Sequence, residues 1–450
     1  MGALDAATVA AYDRPVPRYT SYPTAAQFDR SVGPAQHEAW LKDLDGACAA
    51  LYLHVPFCRQ LCWYCACHTV AMRSEETLDS YAQALVRELE LVSQAAPDLM
   101  VGAVQWGGGT PSQLGAARLV SVGRRAAALL DHRTGAEVSM EVDPRFCNAE
   151  IVDAMAALGV NRASLGVQDF DIAVQQAINR LQSPEVTAAA IERLRRAGIR
   201  RINIDLVYGL PRQTPATLAR TLDQALALQP DRFAIFGYAH VPWMKARQRL
   251  IDMETLPDAA TRSVMADLVS DRLVGAGYLR IGLDHYARPG DRLAVAATSG
   301  RLRRNFQGYV ADESPWVVGV GASAISHLPR GYCQNAPDSP AYMGVVGQGR
   351  FATVRGIALS ADDRLRGEII DRLMCGYGVD LAGVCQHHGV TPQLFLETIP
   401  ALPSLLSDGL VSMNGRRLDL TDRGRLLVRS VCAAFDRYHT GAEGRHARGI

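Results

Sequence analysis

Lysine is nearly missing from this chain: of its 47 lysines and arginines, only Lys42 and Lys245 are lysines. A compositional bias of the genome explains this most simply. The chemical consequence is that any anionic ligand must be held mainly by guanidinium forks. An excess of charge of one sign is also missing. The net charge of +1 gives no electrostatic footprint for nucleic acid or an anionic membrane. No apolar run is long enough to span a bilayer. Residues 1–25, "MGALDAATVAAYDRPVPRYTSYPTA", lack the basic and apolar regions of a secretory signal, so a cytoplasmic protein is expected. A second cysteine knuckle is absent too: Cys375 and Cys385 are too far apart, and His387-His388 are poorly spaced to help. Without a second knuckle, an ordinary structural zinc site is disfavoured.

What is present is an ordinary globular composition, 48% hydrophobic and 21% charged over 450 residues. From about Leu51 short apolar runs alternate with longer amphipathic ones. Strands are expected at 51–55, 102–106, 137–142, 162–167, 202–207 and 233–239. Helices are expected at 75–94, 112–130, 149–158, 171–178, 184–197 and 215–227. Six such units make an α/β protein, either an incomplete β/α barrel or a doubly wound sheet. Polar groups recur at the carboxyl ends of the strands: the cysteine loop, "GGGTPS" (107–112), "EVDPR" (141–145), "GVQDF" (166–170), "DLVYGLP" (205–211) and "YAHVP" (238–242). Parallel strands bring those ends to one mouth, where such folds hold their active sites.

From about Leu359 the chain reads as helical. It closes with a helix, a strand, a turn at Asn414-Gly415, a second strand and a last helix, a winged-helix-like order. With neutral total charge, a regulator that binds DNA is a weak alternative. The segment "PRYTSYPTAAQF" (17–28) is neither helix nor strand, and its Arg18, Tyr19 and Tyr22 make it a candidate cover for the mouth.

"HVPFCRQLCWYCACHTV" carries Cys58, Cys62, Cys65 and Cys67. A redox pair "CWYC" would leave Cys58 unexplained and lacks a helix start directly after it. Closely spaced thiolates in one loop suit an iron–sulfur cluster. Three thiols on a four-iron cube leave one iron open to a small amine-and-carboxylate chelator. Cys65 and Cys67 lie too close together for both to ligate without strain, so Cys67 is expected not to be a ligand.

C-x3-C-x2-C with Tyr64 before the third cysteine, followed by "GGGTPS" and "EVDP", resembles the radical S-adenosylmethionine superfamily. "RYTSYPTA", "LYLHVPFC", the extra Cys67, "NIDLVYGLPRQT", "DHYARPGD", "RNFQGY" and "GVGASAIS" narrow the match. Together they resemble the oxygen-independent coproporphyrinogen III oxidases, from about Tyr12 to Asp436.

The resemblance implies an incomplete (β/α)6 radical S-adenosylmethionine barrel with an N-terminal arm and a mainly helical, winged-helix-like C-terminal domain. The expected domains are residues 1–47, 48–345 and 346–450. Cys58, Cys62 and Cys65 match the ligands of a [4Fe–4S] cluster. Tyr52, Gly108, Glu141 and Ile325 match contacts of a first S-adenosylmethionine. Tyr64, Gly109, Thr110, Gln168, Arg180, Asp205 and Ala239 match those of a second. The implied reaction converts two propionates of coproporphyrinogen III to vinyl groups through a 5′-deoxyadenosyl radical, giving protoporphyrinogen IX in haem biosynthesis. Arg18, Tyr19 and Tyr22, with Arg288 and Arg304, are candidates for holding the substrate's carboxylates and ring. An electron donor such as flavodoxin or ferredoxin is implied, and a monomer with no nucleic-acid or membrane partner. A haem-binding chaperone-like protein and a radical methyltransferase are alternatives on the same scaffold.

Overall fold

The computed structural model describes residues 14–72 and 74–439, together with Thr8, Ala11 and Tyr12. The first residues of the arm and the tail 440–450 of the expected C-terminal domain lie outside the described residues. All six expected strands form, as β1 (Cys48–Val55), β2 (Met100–Gly108), β3 (Asp131–Val142), β4 (Arg162–Gln168), β5 (Arg201–Tyr208) and β6 (Arg232–Gly237). They read as nearly continuous apolar runs because helices cover one face and the barrel interior the other, as parallel strands require. The crossovers are α1 (Glu75–Ala95), α2 (Ala116–Leu129), α3 (Ala149–Ala157), α4 (Ile172–Ala177), α5 (Pro184–Arg196) and α6 (Pro215–Ala227). Most start on a side-chain cap that satisfies backbone N–H left over at the helix end: Ser74, Asn148, Ser183 and Thr214 each accept one, and Asp171 accepts two. Leu78, Tyr81, Leu85, Leu89 and Val92 form the buried stripe of α1 against the sheet.

Beyond β6, β7 (Leu279–Ile281) and β8 (His285–Ala287) extend the sheet antiparallel. On the other flank β9 (Trp316–Val320) pairs parallel with β1, and β10 (Ile325–Leu328), β11 (Gly331–Asn335) and β12 (Thr353–Ala358) follow antiparallel. The order is β12-β11-β10-β9-β1-β2-β3-β4-β5-β6-β8-β7. β1 to β6 are neighbours in chain order, with none of the order reversal that defines a doubly wound sheet. The two edges do not pair, so the barrel stays open.

The expected domain boundary at 345/346 falls inside the helix Ser339–Gly347, and β12 lies beyond it on the barrel's sheet. The second core begins after β12, with Leu365, Ile369, Leu373 and Met374 of the helix Ala361–Gly376. It closes over a small antiparallel sheet of Gly378–Asp380, Val411–Asn414 and Arg417–Leu420. Gly415, at φ +57°, makes the turn expected at Asn414-Gly415. The expected last helix is two short ones, Asp422–Leu426 and Val428–Ala433, because Leu427 leaves helical geometry between them. No helix of the described residues is long and apolar enough to cross a membrane.

Candidate active site at the barrel mouth

β1 ends at Val55, and the chain forms a short parallel pair in which Phe57 lies opposite Val70 and Cys58 opposite Ala71. Val70 N–H donates to Pro56 O at 2.9 Å and Met72 N–H to Cys58 O at 2.9 Å, so the cysteine loop is closed at its base. Its far side is held by groups distant in sequence. Trp63 N–H donates to Ile178 O, and Asn179 Nδ2 donates to Leu61 O. Gln248 Nε2 donates to Tyr64 O, and Arg247 donates to Thr69 Oγ1 and O. The loop is therefore shaped before any ligand arrives.

The three expected cluster thiols differ in surroundings. Cys58 lies 3.7 Å from Thr110 Oγ1, and burial pushes its thiol up to about 11. Cys62 is buried and accepts from Arg180 Nη1 at 3.6 Å. Cys65 accepts from the Cys67 thiol, which brings Cys65 down to about 6. Arg180 is a buried hub: it also donates to Asp143 Oδ2 (3.3 Å), Gln182 Oε1 (3.2 Å) and Gly166 O. Among the described residues its Nε is buried with no hydrogen-bond partner. The buried guanidinium beside Cys62 is a cation placed where negatively charged sulfur would sit.

The glycines at the end of β2 are there for close approach and not only for a turn. A Cβ on Gly107 would lie 2.8 Å from Glu141 Oε1, and one on Gly109 would lie 2.5 Å from Pro56 O. Gly108, at φ +116°, adopts backbone that L-residues rarely take, and its N–H donates to Glu141 Oε2 at 3.1 Å. Burial, with the Asp205 charge, pushes Glu141 up to about 7. Asp205 is raised by burial as well, although it accepts from Asn203 Nδ2 (2.6 Å) and Ser164 Oγ (3.1 Å). Two partly satisfied acids at one mouth suit a ligand that brings an ammonium or hydroxyl groups. Tyr52 hydroxyl lies 3.0 Å from His54 Nδ1. Gln168 ends β4 at φ +73°, and Thr110 is buried beside Cys58. Ala239 presents its carbonyl to Gln248 Nε2 (3.1 Å), and Ile325 opens β10, its carbonyl against Gly319. Tyr64 packs with Trp63 against Val174, Ile178 and Tyr238.

The expected substrate residues separate. Arg18 donates to Gly237 O (3.1 Å) at the mouth end of β6, and Arg304 Nη2 donates to Arg18 O (3.4 Å). Arg288 lies at the opposite end: it donates to Pro230 O, before β6 begins, and its N–H donates to Asp231 O. Antiparallel pairing of β8 with β6 puts Ala287 beside Arg232 and carries Arg288 away from the mouth. Tyr19 and Tyr22 are buried in the C-terminal core. Tyr19 donates to Asp436 Oδ2 at 3.1 Å, and Tyr22 hydroxyl accepts from Arg437 N–H at 3.1 Å. They anchor the arm there, with their hydroxyls committed to that core.

Sequence reasoning did not single out His54, Asp143, Gln248 or Arg429. His54, buried between Tyr52, Gly108 and Ser323, is pushed down to about 4 by burial. The signal available was a lone histidine in an apolar strand, which core packing explains equally well. Asp143 stands inside "EVDPR", where it pairs with both Arg145 and Arg180.

Comparison with known proteins agrees with this geometry. A Radical SAM superfamily model matches residues 52–225, and a HemN C-terminal domain model matches 359–427. The chain is 47% identical over 440 residues to the oxygen-independent coproporphyrinogen III oxidase of Bradyrhizobium diazoefficiens, covering 97% of each. It is 41% identical over 441 residues to that of Pseudomonas aeruginosa, covering 96% of each. The solved structure of Escherichia coli coproporphyrinogen III oxidase (HemN), described as a radical SAM enzyme, superposes with a TM-score of 0.89 at 38% identity, covering 94% of this chain and 97% of that one. The chain thus belongs to the oxygen-independent coproporphyrinogen III oxidase family of the radical S-adenosylmethionine superfamily.

Proposed function

We propose that this protein catalyses the oxygen-independent oxidative decarboxylation of two propionate side chains of coproporphyrinogen III, giving the vinyl groups of protoporphyrinogen IX. The observation that carries this is the closed cysteine loop beside a mouth of glycines and buried acids, on a chain alike over its whole length to enzymes of that name. Cys58, Cys62 and Cys65 would hold a [4Fe–4S] cluster. The Arg180 guanidinium at Cys62 and the Thr110 hydroxyl at Cys58 fit negatively charged sulfur. Tyr52, Gly108, Glu141 and Ile325 would hold one S-adenosylmethionine, and Tyr64, Gly109, Thr110, Gln168, Arg180, Asp205 and Ala239 a second. Once bound, these groups supply a single electron and a 5′-deoxyadenosyl radical able to take a hydrogen atom.

The chain's own residues position and exclude. Gly107 to Gly109 let the backbone approach the amino-acid moiety, Glu141 and Asp205 accept from ammonium or ribose hydroxyls, and Arg180 offsets sulfur charge. At each propionate the β-carbon loses a hydrogen atom, then carbon dioxide leaves and one electron passes to an acceptor, so a vinyl group remains. A flavodoxin- or ferredoxin-like donor, a monomeric state and a cytoplasmic location complete the reading.

The test is an anaerobic assay of the reconstituted protein with dithionite, S-adenosylmethionine and coproporphyrinogen III, read by mass spectrometry. Two carboxyl losses accompanied by 5′-deoxyadenosine are expected. Deoxyadenosine without carboxyl loss, a methylated product, or tight haem binding without turnover would overturn the reading in favour of its alternatives.

A further inference from the structure

We infer that Arg18, Arg304 and Arg429 form a carboxylate-binding site at the barrel mouth, built jointly by the arm, the barrel domain and the C-terminal unit, and that it grips propionates of the tetracarboxylate substrate. The inference rests on the proposed reaction for its ligand.

Arg304 lies on a hairpin in which it pairs with Tyr309, and its guanidinium sits 4.4 Å over the Tyr309 ring. Among the described residues its Nε and Nη1 are buried without a hydrogen-bond partner. Its Nη2 donates to the Arg18 carbonyl, at 3.4 Å. Arg429, in the helix Val428–Ala433, donates from Nη1 to the Val16 carbonyl, also at 3.4 Å. Arg18 donates to Gly237 O at the mouth end of β6 and lies over Phe236. Burial, then the charges of Arg18 and Arg304, push Arg429 down to about 10 against the opposing pull of Tyr208 and Asp284. The cluster is continuous with the barrel acids: Asp284 bonds His285 at 2.7 Å, His285 packs on Phe236 and Tyr309, and His285 acts on Asp205.

Structural arginines elsewhere in the barrel are arranged differently. Buried Arg232 is paired with Asp291 at 2.5 Å and with Glu137 at 3.6 Å. Among the described residues neither Arg18 nor Arg304 forms an ion pair; the charge of Asp284 acts on both, and that of Asp371 acts on Arg304. Burying the Arg304 guanidinium with two of its nitrogens unbonded and no carboxylate in contact is costly unless a ligand supplies one. Carboxylates match the planar fork, and their charge-assisted bonds are shorter and stronger than neutral ones. The arm carbonyls of Val16 and Arg18 occupy N–H groups at the long limit of a hydrogen bond. At Arg304 a propionate would exchange the weak neutral contact to the Arg18 carbonyl for a charged one.

The test uses the reconstituted holoenzyme, with anaerobic fluorescence titration of coproporphyrin III (four carboxylates) and deuteroporphyrin (two), and steady-state kinetics on coproporphyrinogen III. Arg304→Met and Arg429→Met should each weaken coproporphyrin III binding about tenfold and raise KM alike, with a smaller effect on deuteroporphyrin. Arg304→Lys should recover only part of the loss, because an ammonium cannot fork. The electron paramagnetic resonance spectrum of the reduced cluster with S-adenosylmethionine should not change. Arg18 is exposed, so Arg18→Met gives a folded variant even if Arg429→Met does not, and it should weaken binding about threefold. Unchanged dissociation constants in Arg18→Met and Arg304→Met, in a wild type that decarboxylates, would overturn the site and leave the reaction standing. A wild type that binds coproporphyrin III through these arginines but removes no carboxyl would overturn the reaction and leave the site.

Discussion

The mouth of this barrel has two unlike walls. One carries the cysteine loop, the β2 glycines and the acids Glu141 and Asp205, and comes from the ends of consecutive strands. The other carries Arg18, Arg304 and Arg429, and joins segments that are far apart: Arg18 bonds a carbonyl 219 positions away and Arg429 one 413 positions away. The first wall suits the ammonium, hydroxyl and iron chemistry of cofactors, and the second suits carboxylates. The second wall places cations where the charge of a polyanionic substrate would sit, and Asp284 and His285 link it to the acids of the first.

If that division holds, substitutions on the two walls should fail in different assays. The largest effect is expected at the thiols. Cys58→Ser, Cys62→Ser and Cys65→Ser should each abolish the cluster's visible absorbance and all turnover, while Cys67→Ser keeps the absorbance; loss in Cys67→Ser would add a fourth ligand. Next is Arg180→Met, which leaves Asp143 with Arg145 alone and Cys62 without its cation. Breaking such a buried pair costs about 3 kcal/mol of stability, measurable by denaturant unfolding, and should also lower cluster occupancy.

Glu141→Gln should raise KM for S-adenosylmethionine about tenfold and leave coproporphyrin III binding unchanged. Its pH dependence has a definite sign. The folded carboxyl is pushed up to about 7, so the wild type gains its anionic acceptor as pH rises through about 7, and KM should fall there. The same raised pKa means the folded state retains a proton that the unfolded chain releases at lower pH. Stability of the ligand-free protein should therefore decline as pH rises from the ordinary glutamate range to about 7. Glu141→Gln should flatten both curves. The smallest effect is at the arm's anchor. Tyr19→Phe removes the bond to Asp436 and should cost about 1 kcal/mol, with faster amide exchange along 16–22 and KM for coproporphyrinogen III raised about twofold. A change in KM for S-adenosylmethionine instead would erase the distinction between the walls.

How far each wall could be read before folding follows from that same geometry. Thiol spacing, glycine runs, and acids at strand ends are local patterns, and parallel strands deliver successive ends to one place whatever the details of packing. Strand and helix bounds mostly came out within four residues for the same reason: alternation, caps such as Ser74 and Asn148, and apolar stripes act over a few residues; β3 is the exception, starting at Asp131 rather than 137. The second wall has no such pattern. Arg288 and Arg304 looked alike in the chain, yet the antiparallel turn into β8 puts Arg288 at the far end of β6, while the hairpin at Arg303–Asn305 brings Arg304 to the arm. Tyr19 and Tyr22, expected over the mouth, are drawn into the C-terminal core because that core buries their rings and offers Asp436 and the Arg437 backbone as partners. β12 lay past the expected boundary because only the partner strand β11 makes it part of the sheet.

Local spacing therefore gave the β/α units and, through motif resemblance, pointed to the family and the candidate cluster ligands. The side of the mouth reached by each arginine, the seat of the arm and the end of the first domain were decided by tertiary pairing, since those contacts join residues hundreds of positions apart and leave no short-range trace.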